Sequence, residues 1–96
     1  MEQYFEWDNE KADSNYRKHG IRFEEAAQVF NDPFAILTQD RVETGEIRWQ
    51  AIGMVCGCLL LLVAHTVRLT ADNTEFIRII SARCANRKER KYYEHG

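Results

Sequence analysis

The residues of this chain best suited to chemistry are cations. Arg48 and Arg68 lie in strand-like stretches, and the segment Phe76–Tyr93, FIRIISARCANRKERKYY, carries Arg78 and Arg83, then Arg87, Lys88, Arg90 and Lys91 ahead of Tyr92 and Tyr93. A guanidinium fork meets two phosphate oxygens at once and keeps its charge at any working pH, so arginines at strand ends suit phosphate-bearing ligands. The charge is also segregated. Met1–Glu46 holds 5 Lys and Arg against 11 Asp and Glu, whereas Ile47–Gly96 holds 8 against 4. The overall −2 therefore hides an acidic front half and a basic back half. This asymmetry predicts one surface facing phosphates and another facing something else.

The elements that position these cations follow from hydrophobic period and punctuation. Tyr4–Trp7 alternates as a short first strand. Asp8 caps a helix running through Lys18, with Gly20 placed to end it. Phe23, Ala26, Ala27 and Phe30 fall at i, i+3, i+4 and i+7, one apolar face of a second helix that Asn31-Asp32-Pro33 stops. From there the period becomes that of strands: Phe34–Thr38, Glu46–Met54 after a turn at Gly45, Leu59–Arg68 after a turn at Gly57, and Glu75–Ala82 after a loop over 70–74. A last helix begins at Asn86, where Glu89 three residues on completes a variant of the capping box. The order β-α-α-β-β-β-β-α predicts an α+β fold, two N-terminal helices packed on one face of a mainly antiparallel sheet, with a basic C-terminal helix.

Strand parity decides which cations can work together. A tight hairpin about Cys56 pairs Arg48 near Ala64 and Gln50 near Leu62. That puts Arg48, Gln50, Thr66 and Arg68 on one polar surface and Trp49 against the helices with His65 nearby. Arg78 and Arg83 are five residues apart, so a regular strand sends them to opposite faces. Either the strand bulges or ends before Arg83, or only one of the two reaches a ligand.

The bulk numbers fit one domain over 1–96. With 45% hydrophobic and 29% charged residues, the chain reads as soluble and globular. No stretch has the form of a secretory leader, and no apolar run approaches the ~20 residues that span a bilayer. Three cysteines, Cys56, Cys58 and Cys84, form no CxxC pair and imply a reducing, cytoplasmic setting. A metal held by these cysteines and His65 can be imagined, but C-x-C about one glycine is a hairpin-turn spacing rather than a zinc spacing. No metal or cofactor is expected.

Phe5-Glu6-Trp7-Asp8, Lys11, Asn15, Lys18-His19-Gly20 and Phe23-Glu24-Glu25-Ala26 form the pattern FEWDxxKxxxNxxKHGxxFEEA. With Arg48, Gly53, Gly57, Arg68, Arg78-Ile79-Ile80-Ser81-Ala82-Arg83 and Arg87-Lys88-Glu89-Arg90, it resembles the BrnT toxins over nearly the whole chain. The resemblance implies a RelE-like fold and a ribonuclease toxin of a type II toxin–antitoxin pair. It also implies a BrnA-type antitoxin with a dimeric DNA-binding region, a heterotetrameric complex, and DNA contact only through that antitoxin. Departures from the family pattern are Arg22 where Ser or Asp often caps the second helix, His65 where an aromatic is common, and Cys84 where a Lys or Arg is usual.

Under that resemblance the expected reaction is metal-independent attack of a 2′-hydroxyl on its own phosphate. This needs a base, an acid and cations that hold the phosphorane-like charge. Arg68 and Arg83 are the leading cations, with Arg48 and Arg78 beside them. Arg87, Lys88, Arg90 and Lys91 track the RNA backbone, and Tyr92 stacks on a base. Tyr93 is read as an anchor for its helix, and His65 as a packed side chain by its parity with Leu61 and Val63. The alternative is a non-catalytic or degenerate homologue, a nucleic-acid- and antitoxin-binding module in transcriptional autoregulation.

Overall fold

The computed structural model describes residues 2–57 and 59–95. Five strands, β1 (Gln3–Glu6), β2 (Ile36–Glu43), β3 (Glu46–Val55), β4 (Leu59–Leu69) and β5 (Glu75–Cys84), form one sheet in the order β1-β5-β4-β3-β2. Three pairings are antiparallel, while β1 joins β5 in parallel, with Tyr4 beside Phe76 and Glu6 beside Arg78. Helices α1 (Asn9–His19) and α2 (Phe23–Ala27) precede β2, and α3 (Arg87–His95) ends the described chain.

Local chemistry sets the helix ends. The Asp8 carboxylate accepts the amide of Glu10 at 2.8 Å, and Gly20 closes α1 in the left-handed region at φ 71°. Arg22 stands at the N-cap of α2 without a short polar side chain, and the Glu25 carboxylate accepts its backbone N–H at 3.0 Å. The expected second helix tightens after Ala27 into a 3₁₀ turn, Gln28–Asn31. Three residues per turn rotate Val29 inward, so Phe23, Ala26 and Val29 are buried while Ala27 and Phe30 are half-buried. The β2–β3 hairpin turns on Thr44 and Gly45, both at positive φ, the backbone of a two-residue primed turn. β2 runs to Glu43, well past the Thr38 expected from sequence, and shifts register between Gln39 and Val42.

The core lies between the helices and one sheet face, where Phe23, Ala26 and Val29 meet Ala51, Val55, Leu61, Val63, Ile79 and Ala82. The other face buries a smaller cluster, Ile52, Leu60 and Leu62, under Met54, Ala85 and Tyr93. Gly53 allows the closest approach of the two layers. A Cβ there would stand 2.7 Å from Val29 Cγ1 and 3.1 Å from the Val29 carbonyl oxygen.

β1 stops at Glu6, opposite Arg78, and leaves the outer edge of β5 without a strand beyond that point. The buried Asn15 of α1 takes the strand's place. Its amide accepts the Ala82 N–H at 3.0 Å and donates to the Ala82 carbonyl at 2.9 Å and the Ile21 carbonyl at 3.1 Å. Asn15→Ala would strand three buried backbone groups. It should cost about 2–4 kcal/mol by urea denaturation, several unmet groups at roughly 1–3 kcal/mol each with partial relief by water. A loss below about 0.5 kcal/mol, the usual scale of a surface change, would contradict this role. Gly53→Ala should cost about 1–3 kcal/mol by overpacking, and less in a Val29→Ala background than in the parent chain. Equal costs in the two backgrounds would show that the Val29 side chain does not set the limit.

Candidate nucleic-acid interface

The β3–β4 register pairs Trp49 with His65 and Gln50 with Ala64. This lies two residues from the expected pairing, and a shift of two preserves parity. Arg48, Gln50, Thr66 and Arg68 therefore share the face opposite α1 and α2. Carried on by one residue, the register sets Arg48 across from Thr66, which pairs with Arg78, which neighbours Glu6 on β1. One row across four strands thus reads Arg48, Thr66, Arg78, Glu6. The adjacent row reads Arg68, Phe76, Tyr4.

Packing fixes the members of this cluster differently. The Arg68 guanidinium lies 4.5 Å over the Phe76 ring, and Tyr4 stacks on the same ring at 5.6 Å and 25°. Stacking holds the guanidinium plane while leaving its N–H groups free to donate. Arg68 Nη2 stands 4.0 Å from Glu6 Oε1, a loose contact between exposed groups. Arg48 Nη2 pairs with Glu43 Oε2 at 2.8 Å, and its Nε is buried with no hydrogen-bond partner among the described residues. Arg78 is exposed and forms no ion pair with any described residue.

β5 bulges. Ala64 pairs with Ser81 and His65 with Ile79, leaving Ile80 as the extra residue. The bulge brings Arg78 and Arg83 to the same face, although five residues separate them. It does not bring them together. Arg83 pairs with Leu62, and Arg68 lies six residues further along β4, about 20 Å at ~3.3 Å per residue. Arg83 already has a partner: its two terminal nitrogens each meet a Glu89 oxygen at 2.8 Å. Glu89 in turn accepts the Asn86 amide at 2.9 Å, while Asn86 Oδ1 accepts the Glu89 amide at 2.8 Å, the reciprocal cap of α3. The hydrogen bonds from Arg83 hold Glu89 below the ordinary carboxylate range, and Glu89 raises the Arg83 pKa. Of the four arginines singled out in the sequence, three cluster around Thr66, and Arg83 anchors α3.

α3 presents Arg87, Lys88, Arg90, Lys91 and Tyr92 to solvent, none of the four cations in an ion pair with a described residue. A groove of about 600 Å³ runs between α3 and the sheet, lined by Thr38, Gln50, Ile52, Lys88, Lys91 and Tyr92 among others. Gln50 lies two residues from Arg48 on the same face, so the groove leads into the arginine cluster. Tyr93 turns inward onto the Ile52, Leu60 and Leu62 cluster and donates to Asp32 Oδ2 at 2.6 Å. Asp32 also accepts the Met54 and Phe34 amides at 2.8 and 2.9 Å. Desolvation pushes the Asp32 pKa up, but the Tyr93 hydroxyl and these two amides together hold it below its usual value. The same bond raises the Tyr93 phenol.

His65 is buried on the helix side. Phe30 meets its ring edge-on at 4.8 Å, and desolvation lowers its pKa. It lies opposite Trp49, whereas Cys56 sits in the turn beyond Val55, and Cys58 falls outside the described residues. Among the described residues no three His, Cys, Asp or Glu side chains gather as a metal site. Sequence reasoning missed Glu6, Tyr4 and Phe76. Their alternation within the strands was visible, but only the parallel pairing of β1 with β5 places them beside Arg68 and Arg78.

The comparisons bear on this geometry. The family model described as the ribonuclease toxin BrnT of a type II toxin–antitoxin system matches residues 7–89. The crystal structure of the Brucella abortus ribonuclease toxin BrnT superposes with a TM-score of 0.67 at 24% identity, covering 91% of this chain and 100% of that one. At this identity the likeness speaks for the α+β fold with its five-stranded mixed sheet. No curated protein sequence matches the chain. On the family match, which spans most of its length, the chain belongs to the BrnT family of type II toxin–antitoxin ribonuclease toxins.

Proposed function

We propose that this chain, as one RelE-like toxin domain over 1–96, is an endoribonuclease whose working site is the cluster of Arg48, Arg68 and Arg78 around Thr66. The observation that carries the reading is three cations on one face around Thr66, with Glu6 at the edge. A phosphate seated over Thr66 is met from three sides. Negative charge developing on its equatorial oxygens meets donors already in place. Glu6, beside Arg78 and loosely held by Arg68, is the carboxylate placed to take the proton of the attacking 2′-hydroxyl. The bond from phosphorus to the 5′-oxygen breaks as the cyclic phosphate forms, and water protonates the leaving oxygen. No metal takes part in this mechanism.

The flanking strand follows the groove beneath α3. Arg87, Lys88, Arg90 and Lys91 supply backbone contacts there, and the exposed Tyr92 ring offers a stacking surface. Arg83 contributes through α3, by holding Glu89 and with it the helix start. The partner is a BrnA-type antitoxin with a dimeric DNA-binding region, in a heterotetramer that meets DNA through the antitoxin alone. The setting is the cytoplasm. Among the described residues no helix is long and apolar enough to cross a membrane.

In chelator, purified protein should cleave single-stranded RNA, and Arg68→Ala or Arg78→Ala should each lower kcat/KM about 10²-fold or more, the scale of one lost transition-state donor. Glu6→Gln should lower turnover while leaving affinity for a non-cleavable 2′-deoxy oligonucleotide unchanged. Salt-sensitive binding without cut products in the parent protein would favour the non-catalytic binding module instead. Arg83→Ala should cost less activity than Arg78→Ala and should loosen α3 in amide exchange. The reverse ranking would place the chemistry at Arg83.

A pH dependence follows from the Arg83–Glu89 pair. The Glu89 pKa is depressed in the folded chain, so its contribution is complete above the ordinary value of 4.5 and is lost as pH falls through the depressed one. The difference in Tm between the parent and Glu89→Gln should therefore be constant above that value and shrink below it. A difference independent of pH would show that the pair does not hold α3.

A further inference from the structure

The helix-bearing face of the sheet is covered only in part. α1, α2 and the 3₁₀ turn lie over Ala51, Val55, Leu61, Val63, Ile79 and Ala82. Toward the β2–β3 hairpin and the β4–β5 loop, the same face opens to solvent. Leu37, Val42, Ile47, Val67 and Leu69 are there between 40% and 60% exposed. Val42 pairs with Ile47, Leu37 with the inward-facing Ala51, and Val67 with the inward-facing Ile77, so the register gathers them on one side. Between them lies a hollow of about 330 Å³ lined by Leu37, Trp49, Val67 and Ile77, with Phe30 and His65 at its floor. Apolar side chains scattered singly are ordinary on a surface, but several around one hollow mark an interaction site.

The surroundings of this patch state the character of its occupant. Glu75 lines this hollow, and the neighbouring strand and turn carry Asp40 and Asp72 against Arg41, while Glu43, Glu46, Arg48 and Arg68 at the same strand ends lie on the opposite face. None of Asp40, Asp72 and Glu75 pairs with a cation among the described residues. An apolar hollow with an acidic rim repels a phosphate backbone and suits a polypeptide whose large apolar side chains are flanked by Lys or Arg. β2 is the outermost strand on this side, next to β3 only. We infer that this apolar end of the helix-bearing face anchors the antitoxin, through an apolar segment flanked by basic residues. The anchor lies behind the arginine cluster. Thr38, one residue from Leu37 and on the opposite face, lines the groove beneath α3. A chain anchored at Leu37 therefore crosses only the free edge of β2 to reach that groove.

The inference takes from the proposed function only that an antitoxin partner exists. The test is the double substitution Leu37→Asp/Val67→Asp, assayed against the antitoxin of the same operon by titration calorimetry, with RNA cleavage in chelator and thermal melting run in parallel. The expected result is affinity weakened about 100-fold or more, with cleavage and Tm close to those of the parent. Unchanged affinity would overturn the inference, as would loss of binding on Arg68→Glu/Arg78→Glu alone. So would a dimer of the parent chain that the substitution dissolves while antitoxin binding persists, since the occupant would then be a second copy. If the double variant fails to fold, amide exchange of the parent with and without antitoxin decides. Protection over 36–42 and 65–69 supports the anchor, and protection confined to β1 and α3 overturns it. A parent that binds antitoxin through this patch but cuts no RNA would support the inference while removing the ribonuclease reading.

Discussion

One irregularity in β5 governs the rest of the molecule. A regular strand from Arg78 to Arg83 would turn one of the two into the core. It would also break the inward sequence Ile77, Ile79, Ala82 on which α1 and α2 rest. Ile80, the extra residue of the bulge, resolves both conflicts, because it restores parity for the buried and the charged residues together. A bulge disrupts the pairing around it, and the outer edge of β5 has no strand beyond Arg78. Asn15 repairs that edge with a side-chain amide bonded both ways to Ala82. The first helix is therefore tied to the irregularity that makes the arginine face.

The two faces of the sheet are consequently held by different physics. The helix side is a conventional core, in which each large buried side chain contributes about 1.5–3 kcal/mol. The arginine side has only Ile52, Leu60 and Leu62 beneath Tyr93 and Ala85, and α3 itself has no fully buried residue. The Arg83–Glu89 fork is bidentate and half-buried, so it fixes the start of α3 more firmly than an exposed ion pair would. The Tyr93 ring and its bond to Asp32 fasten the later part of the helix. A lightly fastened basic helix beside an open cationic face suits a ligand that must thread between them.

Much of this was legible in the sequence because it is local. Asp8, Gly20, the Asn86–Glu89 pair and Gly45 act within a few residues of their own position, and all four sit where those signals place them. Parity did further work. Arg48, Gln50, Thr66 and Arg68 share a face even though the β3–β4 register differs by two residues from the expected one, since an even shift leaves faces unchanged. What sequence did not show is non-local or unsignalled. Ile80 is a β-branched residue with no glycine to announce a bulge. Nothing near Glu6 or Tyr4 tells that β1 will lie beside a strand some 70 residues later, as the Gln3–Glu75 separation of 72 shows. The tightening of α2 into a 3₁₀ turn likewise depends on Val29 meeting Gly53, a contact between elements.

The account stands on the claim that Arg48, Arg68 and Arg78 hold the reacting phosphate while Arg83 holds α3. The most direct measurement is to follow the side-chain Nε–H resonances of the arginines by NMR as a non-cleavable 2′-deoxy oligonucleotide is titrated in. The account predicts large shifts and slowed solvent exchange at Arg48, Arg68 and Arg78, with Arg83 changed little. Shifts concentrated at Arg83 and α3, with the three clustered arginines silent, would contradict it.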